Sequence, residues 1–398
     1  MKRLPRFLII LLALVMIGAA CGGDDDDDAG GSGSETETKD PITIGAVFDL
    51  SGATSDVGTP YADGIKAYVD YVNGQGGVEG HMINFLNQDY AYKVPQAETL
   101  YQQYISQGAV GVIGWGTADS EALKGRVAAD KIPYISASYS ANLANPAEAP
   151  FNFVPGPTYS DQMRVALKYI AEQEKGAQTE VAVFHHDSPF GTSPLDDGKK
   201  YVEEEKLKIS YKTFAMRAGA TDYVAELSQA KGAKYLIIQN VPSPASKLAQ
   251  NIKSQNLPTQ VICLNWCGDE LYVQLAGAAA EGTWGVMPFA PPTAETLPAD
   301  MKEYLEGKGE DPLTKGIRYV TGWNTAKVFF EGVAKAAEGG EKVTGEMIKK
   351  ELESISGFKT GISPDISFTT DYHAGMKSVP IYKVEGGKWV KVTDALEP

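Results

Sequence analysis

Residues 42–80 read ITIGAVFDLSGATSDVGTPYADGIKAYVDYVNGQGGVEG, and this stretch decides the fold. Residues 42–50 form a nearly unbroken apolar run closed by Ser51-Gly52, which predicts a strand buried on both faces. From Pro60 the apolar residues take a helical spacing. Tyr61, Ile65, Tyr68, Val69 and Val72 share one face, and the glycines at 74, 76 and 77 end the helix. A buried strand feeding an amphipathic helix is the opening unit of an α/β protein.

The alternation continues outward. Strand-like MINFLNQDY (82–90), AVGVIGW (109–115) and IPYISASY (132–139) are separated by helical PQAETLYQQYISQG (95–108) and SEALKGRVAADK (120–131). It restarts at helix 159–176, followed by strand 180–187, helix 194–206, strand 209–215, helix 222–232, strand 234–241, helix 244–256, strand 260–266 and helix 269–282. The segment TWGVMPFAPP (283–292) leads back to a long helix, 318–340, and two short β-like pieces, 378–384 and 388–394, end the chain. The pattern predicts an α/β fold: two doubly wound lobes with parallel sheets, and several passages of the chain between them.

Ligands of open α/β sheets sit beyond the carboxyl ends of the strands. Here those places hold DLSG, GWGTADS, SASYS, HHDSPFG, QNVPSP and NWCGD, rich in hydroxyls, amides and aromatics. That chemistry suits a small polar ligand gripped against aromatic walls. Catalytic patterns are missing: there is no GxSxG, HExxH or P-loop, and GWGTAD lacks the last glycine of GxGxxG. His185-His186-Asp187 is the one histidine cluster, but neighbours on a strand point to opposite faces, which disfavours a shared metal ion. The expectation is a protein with no catalytic residues, no metal and no cofactor. A surface enzyme built on that triplet is the competing class.

Ahead of the folded body, Lys2, Arg3 and Arg6 precede an apolar stretch, Phe7 to Ala20, with small residues up to Cys21. This reads as an export signal (1–20), with Cys21 as a lipidation point and 21–40 as a disordered acidic tether. The expected location is therefore extracytoplasmic, lipid-anchored to the cell membrane. The net charge of -15, from 51 acids against 36 bases, and the lack of a basic patch exclude nucleic acid as a partner. Cys263 and Cys267 leave two readings open, a local disulfide or a pair of partly buried thiols; with no histidine nearby they make a poor zinc site.

The chain resembles the branched-chain amino-acid-type periplasmic binding proteins, the type I solute receptors of ABC importers. The resemblance rests on residues 44–80 and on GVIGWGTADSEAL, IPYISASYSAN, FNFVPGPTYSDQ, VAVFHHDSPFG, AEGTWGVMPF and GWNTAKVFFEGV, in that order from Pro41 to Pro398. It implies two lobes joined by a three-strand hinge, 41–157 plus 289–365 and 158–288 plus 366–398, closing on a small-molecule ligand for ABC permease subunits. A sensor subunit with the same fold is the alternative. The implied ligand contacts are Thr117, Ala118, Asp119, Ser120, Ser138 and Ser140 for an oxyanion, with Phe190 as a lid and Trp266 and Tyr319 as walls. Trp115, Tyr139 and Tyr159 would join a wall for a flat or apolar ligand. Where the family offers carboxylates to an ammonium, this sequence holds Tyr159 and Asn265. A small amide, a urea-like compound or an aromatic or aliphatic carboxylate therefore competes with leucine-type amino acids.

Overall fold

The computed structural model describes residues 39–398. The export signal, Cys21 and the tether up to residue 38 lie outside the described residues. Lys39 and Asp40, expected as the end of the tether, instead begin the first strand: Lys39 pairs with His81, and the Asp40 carbonyl meets His81 Nδ1 at 2.6 Å.

One sheet consists of β1 (Lys39–Phe48), β2 (His81–Asp89), β3 (Gly111–Gly114), β4 (Tyr134–Ser136) and β5 (Asn152–Phe153), all parallel in the order β2-β1-β3-β4-β5. Between them run α1 (Ser55–Gly74), α2 (Val94–Ser106) and α3 (Thr117–Asp130). The second sheet holds β6 (Thr179–His186), β7 (Ile209–Met216), β8 (Tyr235–Gln239), β9 (Gln260–Cys263) and β10 (Trp284–Val286) in the order β7-β6-β8-β9-β10. Its helices are α4 (Tyr159–Gln173), α5 (Pro189–Thr192), α6 (Leu195–Glu204), α7 (Val224–Gln229), α8 (Pro242–Ser254) and α9 (Glu270–Ala276). The two sheets thus repeat one strand order.

After β10 the chain returns to the first sheet's side as α10 (Ala299–Gly307), α11 (Ile317–Ala337) and α12 (Gly345–Glu353). It then crosses back to add the hairpin β11 (Ile381–Glu385) and β12 (Lys388–Lys391), antiparallel to β10. The second sheet is therefore parallel with an antiparallel edge, not purely parallel as the strand–helix alternation implied. The chain passes between the sheets three times, after β5, after β10 and before β11. The strands touch at these passages: Gly375 N–H donates to Val154 O at 2.7 Å and Met287 N–H to Pro380 O at 3.3 Å.

Helix α1 starts at Ser55, five residues before the proline expected to open it, and Pro60 lies inside. Helices α10 and α12 escaped the periodicity because each has only nine residues. Helix α11 packs on α1 through two glycines: a methyl group on Gly64 would collide with the Tyr319 carbonyl, and one on Gly322 with the Tyr61 carbonyl. Tyr61 then donates to Thr325 Oγ1 at 2.7 Å, across the same contact. Because the obstacle is backbone, a side chain cannot turn away to relieve it. Gly322→Ala is expected to destabilise the protein by about 1–3 kcal/mol. An unchanged thermal midpoint would show that the helices separate freely.

Candidate ligand-binding site

In each sheet the strand order reverses beside its first strand, between β1 and β3 and between β6 and β8. These switch points are where open α/β sheets leave a crevice. Here the two crevices face each other across a small cavity that opens to solvent. From the first sheet's side it is lined by Thr54 and Val57 after β1, Tyr92 after β2, Trp115, Gly116 and Thr117 after β3, and Ala137 after β4. From the second side come Tyr159 at the start of α4, Phe190 after β6, Val241 after β8 and Trp266 after β9.

The aromatic walls are built in contact with one another. Trp115 and Trp266 meet edge to face at 5.1 Å, and Trp266 stacks on Tyr139 at 5.6 Å. Tyr159 lies 5.5 Å from Phe190, and His186 sits 5.7 Å from Phe190 and 6.0 Å from Tyr92. Tyr92 is aimed by an unusual turn: both Ala91 and Tyr92 adopt left-handed backbone, φ 52° and 57°. Two such non-glycine residues in succession are uncommon.

The polar groups form a definite network. Thr54 Oγ1 donates to Asp49 Oδ2 at 2.7 Å and accepts from Trp115 Nε1 at 2.8 Å. Asp49 also accepts from the Gly52 and Thr54 amides, at 2.5 and 2.9 Å. Thr117 Oγ1 and Ser138 Oγ share a hydrogen bond of 2.8 Å. Tyr159 accepts from Trp266 Nε1 at 2.9 Å, which leaves its own O–H to donate. Burial pushes the Tyr92 and Tyr159 phenols well up, so both are neutral.

Of the residues expected at the site, Trp115, Thr117, Tyr159, Phe190 and Trp266 reach the cavity. Ser138 and Tyr139 stand one layer behind, holding Thr117 and Trp266. Ser140 turns aside to donate to Glu121 Oε1 at 2.6 Å. Ala118, Asp119 and Ser120 fall in the first turn of α3 but do not line the cavity, because the helix begins three residues earlier than its periodicity implied. Asp119 lies behind Gly116 and accepts from Tyr90 at 2.7 Å. Asn265 points at Arg318, whose Nη2 donates to its carbonyl at 2.5 Å. Tyr319 borders a separate surface groove beside Lys315. The helical turn puts its neighbour Arg318 against Trp266 in its place.

Sequence reasoning missed Thr54, Val57, Tyr92, Gly116, Ala137 and Val241, although GWGTADS, SASYS and QNVPSP contain three of them, Gly116, Ala137 and Val241. It also missed Arg318, a buried base that donates to Asp269 Oδ2 at 3.3 Å and lies 4.8 Å from the Trp266 ring centre. A lone arginine at the head of an apolar helix was its only trace. Cys263 and Cys267 are joined in a disulfide, which resolves the two readings of that pair, and both are fully buried. His185 Nδ1 meets the His186 carbonyl and His186 Nδ1 meets Ser188 Oγ. Among the described residues no group of three or more His, Cys, Asp or Glu could hold a metal ion.

A family model for periplasmic binding proteins matches residues 41–388. The chain belongs to the periplasmic binding protein family. A Pseudomonas aeruginosa protein named as binding leucine, isoleucine, valine, threonine and alanine is 23% identical over 80% of this chain and 85% of its own length. The structure of a branched-chain amino acid ABC transporter protein from Thermus thermophilus with bound valine superposes with a TM-score of 0.84. It shares 25% identity, covering 91% of this chain and 97% of that one. An ABC transporter substrate-binding protein from Aeropyrum pernix gives a TM-score of 0.82 at 28% identity, covering 90% and 97%.

The two sides are also bonded to each other outside the cavity. Asp56 Oδ2, in the first turn of α1, accepts from both the amide and the hydroxyl of Ser243 in the first turn of α8, at 3.0 and 2.6 Å. Bonds to a charged acceptor contribute about 1.5–3 kcal/mol. Ser243→Ala is expected to lower the population of the closed form about tenfold, read as a lengthened distance between spin labels on the two lobes. An unchanged distribution would mean the contact does not hold them together.

Burial raises the Asp119 carboxyl to about 6, opposed by the hydrogen bond from Tyr90. A folded value above the unfolded one gives stability that is present below about 4 and lost as the pH rises through 6. Asp119→Asn is expected to gain on the wild type in melting temperature between pH 4 and 6 and to hold that gain above it. A pH-independent difference would refute this assignment.

Proposed function

We propose that this protein is the solute receptor of an ABC importer, of the branched-chain amino-acid type, and that it works outside the cytoplasm. The observation that carries this is the cavity itself, whose wall is shared between residues of both sheets. A ligand there touches both sides at once, so it binds the closed form better and shifts the equilibrium toward it. The closed form is then what a permease recognises. The relatives named for amino-acid binding support this role, as do the apolar walls and the hydroxyls of Thr117 and Tyr159, which suit a solute with a small polar head. The export signal and Cys21 support anchoring to the membrane by acyl chains, with the acidic tether as a leash.

Two measurements test the proposal. Residues 41–398, stripped of carried-over solute, would be melted against leucine, isoleucine, valine and phenylalanine beside acetamide, urea, benzoate and short-chain acids. A ligand at a hundred times its Kd adds about 2.7 kcal/mol, visible as a raised melting temperature. If no member of the panel stabilises the protein, the receptor reading for small solutes fails. For the anchor, Cys21→Ser in the full chain is expected to release the protein from membranes into the soluble fraction; retention at the membrane would refute acylation.

A further inference from the structure

The wall of the cavity contains no carboxylate and no base. Its five aromatic rings are joined by Val57, Ala137 and Val241, two threonines and a glycine. Each buried acid nearby accepts hydrogen bonds from the protein and stands outside the wall. Asp49 is held by Gly52 and Thr54 and Asp161 by the amide and hydroxyl of Thr158, while Asp119, behind Gly116, gives one oxygen to Tyr90 and keeps the other buried without a partner. Asp269 is taken by Arg318 and by the Tyr272 amide. An ammonium entering here would lose its water and touch no carboxylate in the wall, which costs several kcal/mol.

Acceptors are scarce as well. The carbonyls of Thr54, Gly116, Phe190 and Val241 take bonds from Gly58, Ser120, Gln239 and Ala245 within the protein. Donors remain. The Tyr159 oxygen receives the Trp266 N–H and is paired with the Thr117 hydroxyl, so when Thr117 donates to it the Tyr159 O–H is left for a solute. Thr117 is the first residue of α3, where backbone N–H groups lack partners within the helix. A quaternary ammonium held by ring faces alone is disfavoured too, because Trp266 already carries the Arg318 guanidinium against its ring at 4.8 Å.

Resting on the receptor reading above, we infer that the cleft selects a monocarboxylate with a compact branched or aromatic body and no ammonium group. The carboxylate takes the Tyr159 and Thr117 donors, and the body packs against Trp115, Phe190 and Trp266. This sets the chain apart from the relatives named for binding amino acids.

The test is calorimetric titration at pH 7 with 4-methylpentanoate, with leucine, which is the same skeleton bearing an ammonium, and with glycine betaine. The expected result is that 4-methylpentanoate binds at least tenfold more tightly than either of the others. Tyr159→Phe, checked for an unchanged circular dichroism spectrum, is expected to weaken that carboxylate about tenfold while changing the affinity for the uncharged 4-methylpentanamide much less. Leucine binding as tightly as 4-methylpentanoate would overturn the ligand class and leave the receptor reading standing, and so would preference for glycine betaine. Equal losses for acid and amide in Tyr159→Phe would overturn the role of that hydroxyl as the carboxylate donor. If none of the four compounds binds, the inference falls together with the small-solute reading.

Discussion

The buried guanidinium of Arg318 is the constraint around which the cleft is arranged. A charge so fully removed from water must be met by oxygens on every side, or the fold loses several kcal/mol. Here one short loop supplies them: the Asn265 carbonyl and Oδ1, the Gly268 carbonyl and the Asp269 carboxylate. Burial drives Asp269 upward to about 7 while Arg318 pulls it down, so the two charges stabilise each other's presence without a large net gain. What the pair secures is position. Trp266 lies inside the loop that Arg318 grips, and the Cys263–Cys267 bond closes the same loop from behind. The next residue, Glu270, accepts from the Ile317 amide at 3.1 Å, so the start of α11 is fixed to the loop twice. A wall aromatic on a loop is thereby held as firmly as one on a strand.

The second organising fact is repetition. Both sheets use one strand order, so both have a switch point beside their first strand, and the two crevices are set face to face. Each half alone offers a shallow notch between strand ends. Together they make a chamber in which a small solute is surrounded. A solute in contact with both halves would favour a closed arrangement over an open one.

The architecture was legible in the sequence because burial on both faces writes strands as continuous apolar runs, and their alternation with helical spacing is robust to single exceptions. Ile44, Ala46, Val47 and Phe48 are all buried as that reading of 42–50 requires. Helix starts were less legible. Ser55 and Thr117 begin helices without a side-chain cap, so nothing marked them, and Asp119 was accordingly placed nearer the ligand than it lies. The five expected residues that line the cavity are mostly large aromatics at strand ends, a conspicuous signal. Val57, Ala137 and Val241 carry none, since a small apolar residue reads the same in a wall as in a core. Arg318 and Tyr319 show the remaining difficulty. One position along a helix is a rotation of about 100°, enough to exchange a cleft-facing side chain for a surface one.

That same helical geometry explains how occupancy of the cavity can reach the closure contact. Val57 lines the chamber from the first turn of α1, and its neighbour Asp56 receives both bonds from Ser243. Across the gap, Val241 lines the chamber at the residue before α8, and Ser243 follows two positions later. Contact with the solute and contact between the lobes therefore belong to the same two helical turns. A solute that presses Val57 and Val241 into place also sets the distance between Asp56 and Ser243. Burial raises the Asp56 carboxyl, opposed by its two Ser243 bonds, so desolvating that acid is a cost of closing which those bonds must offset.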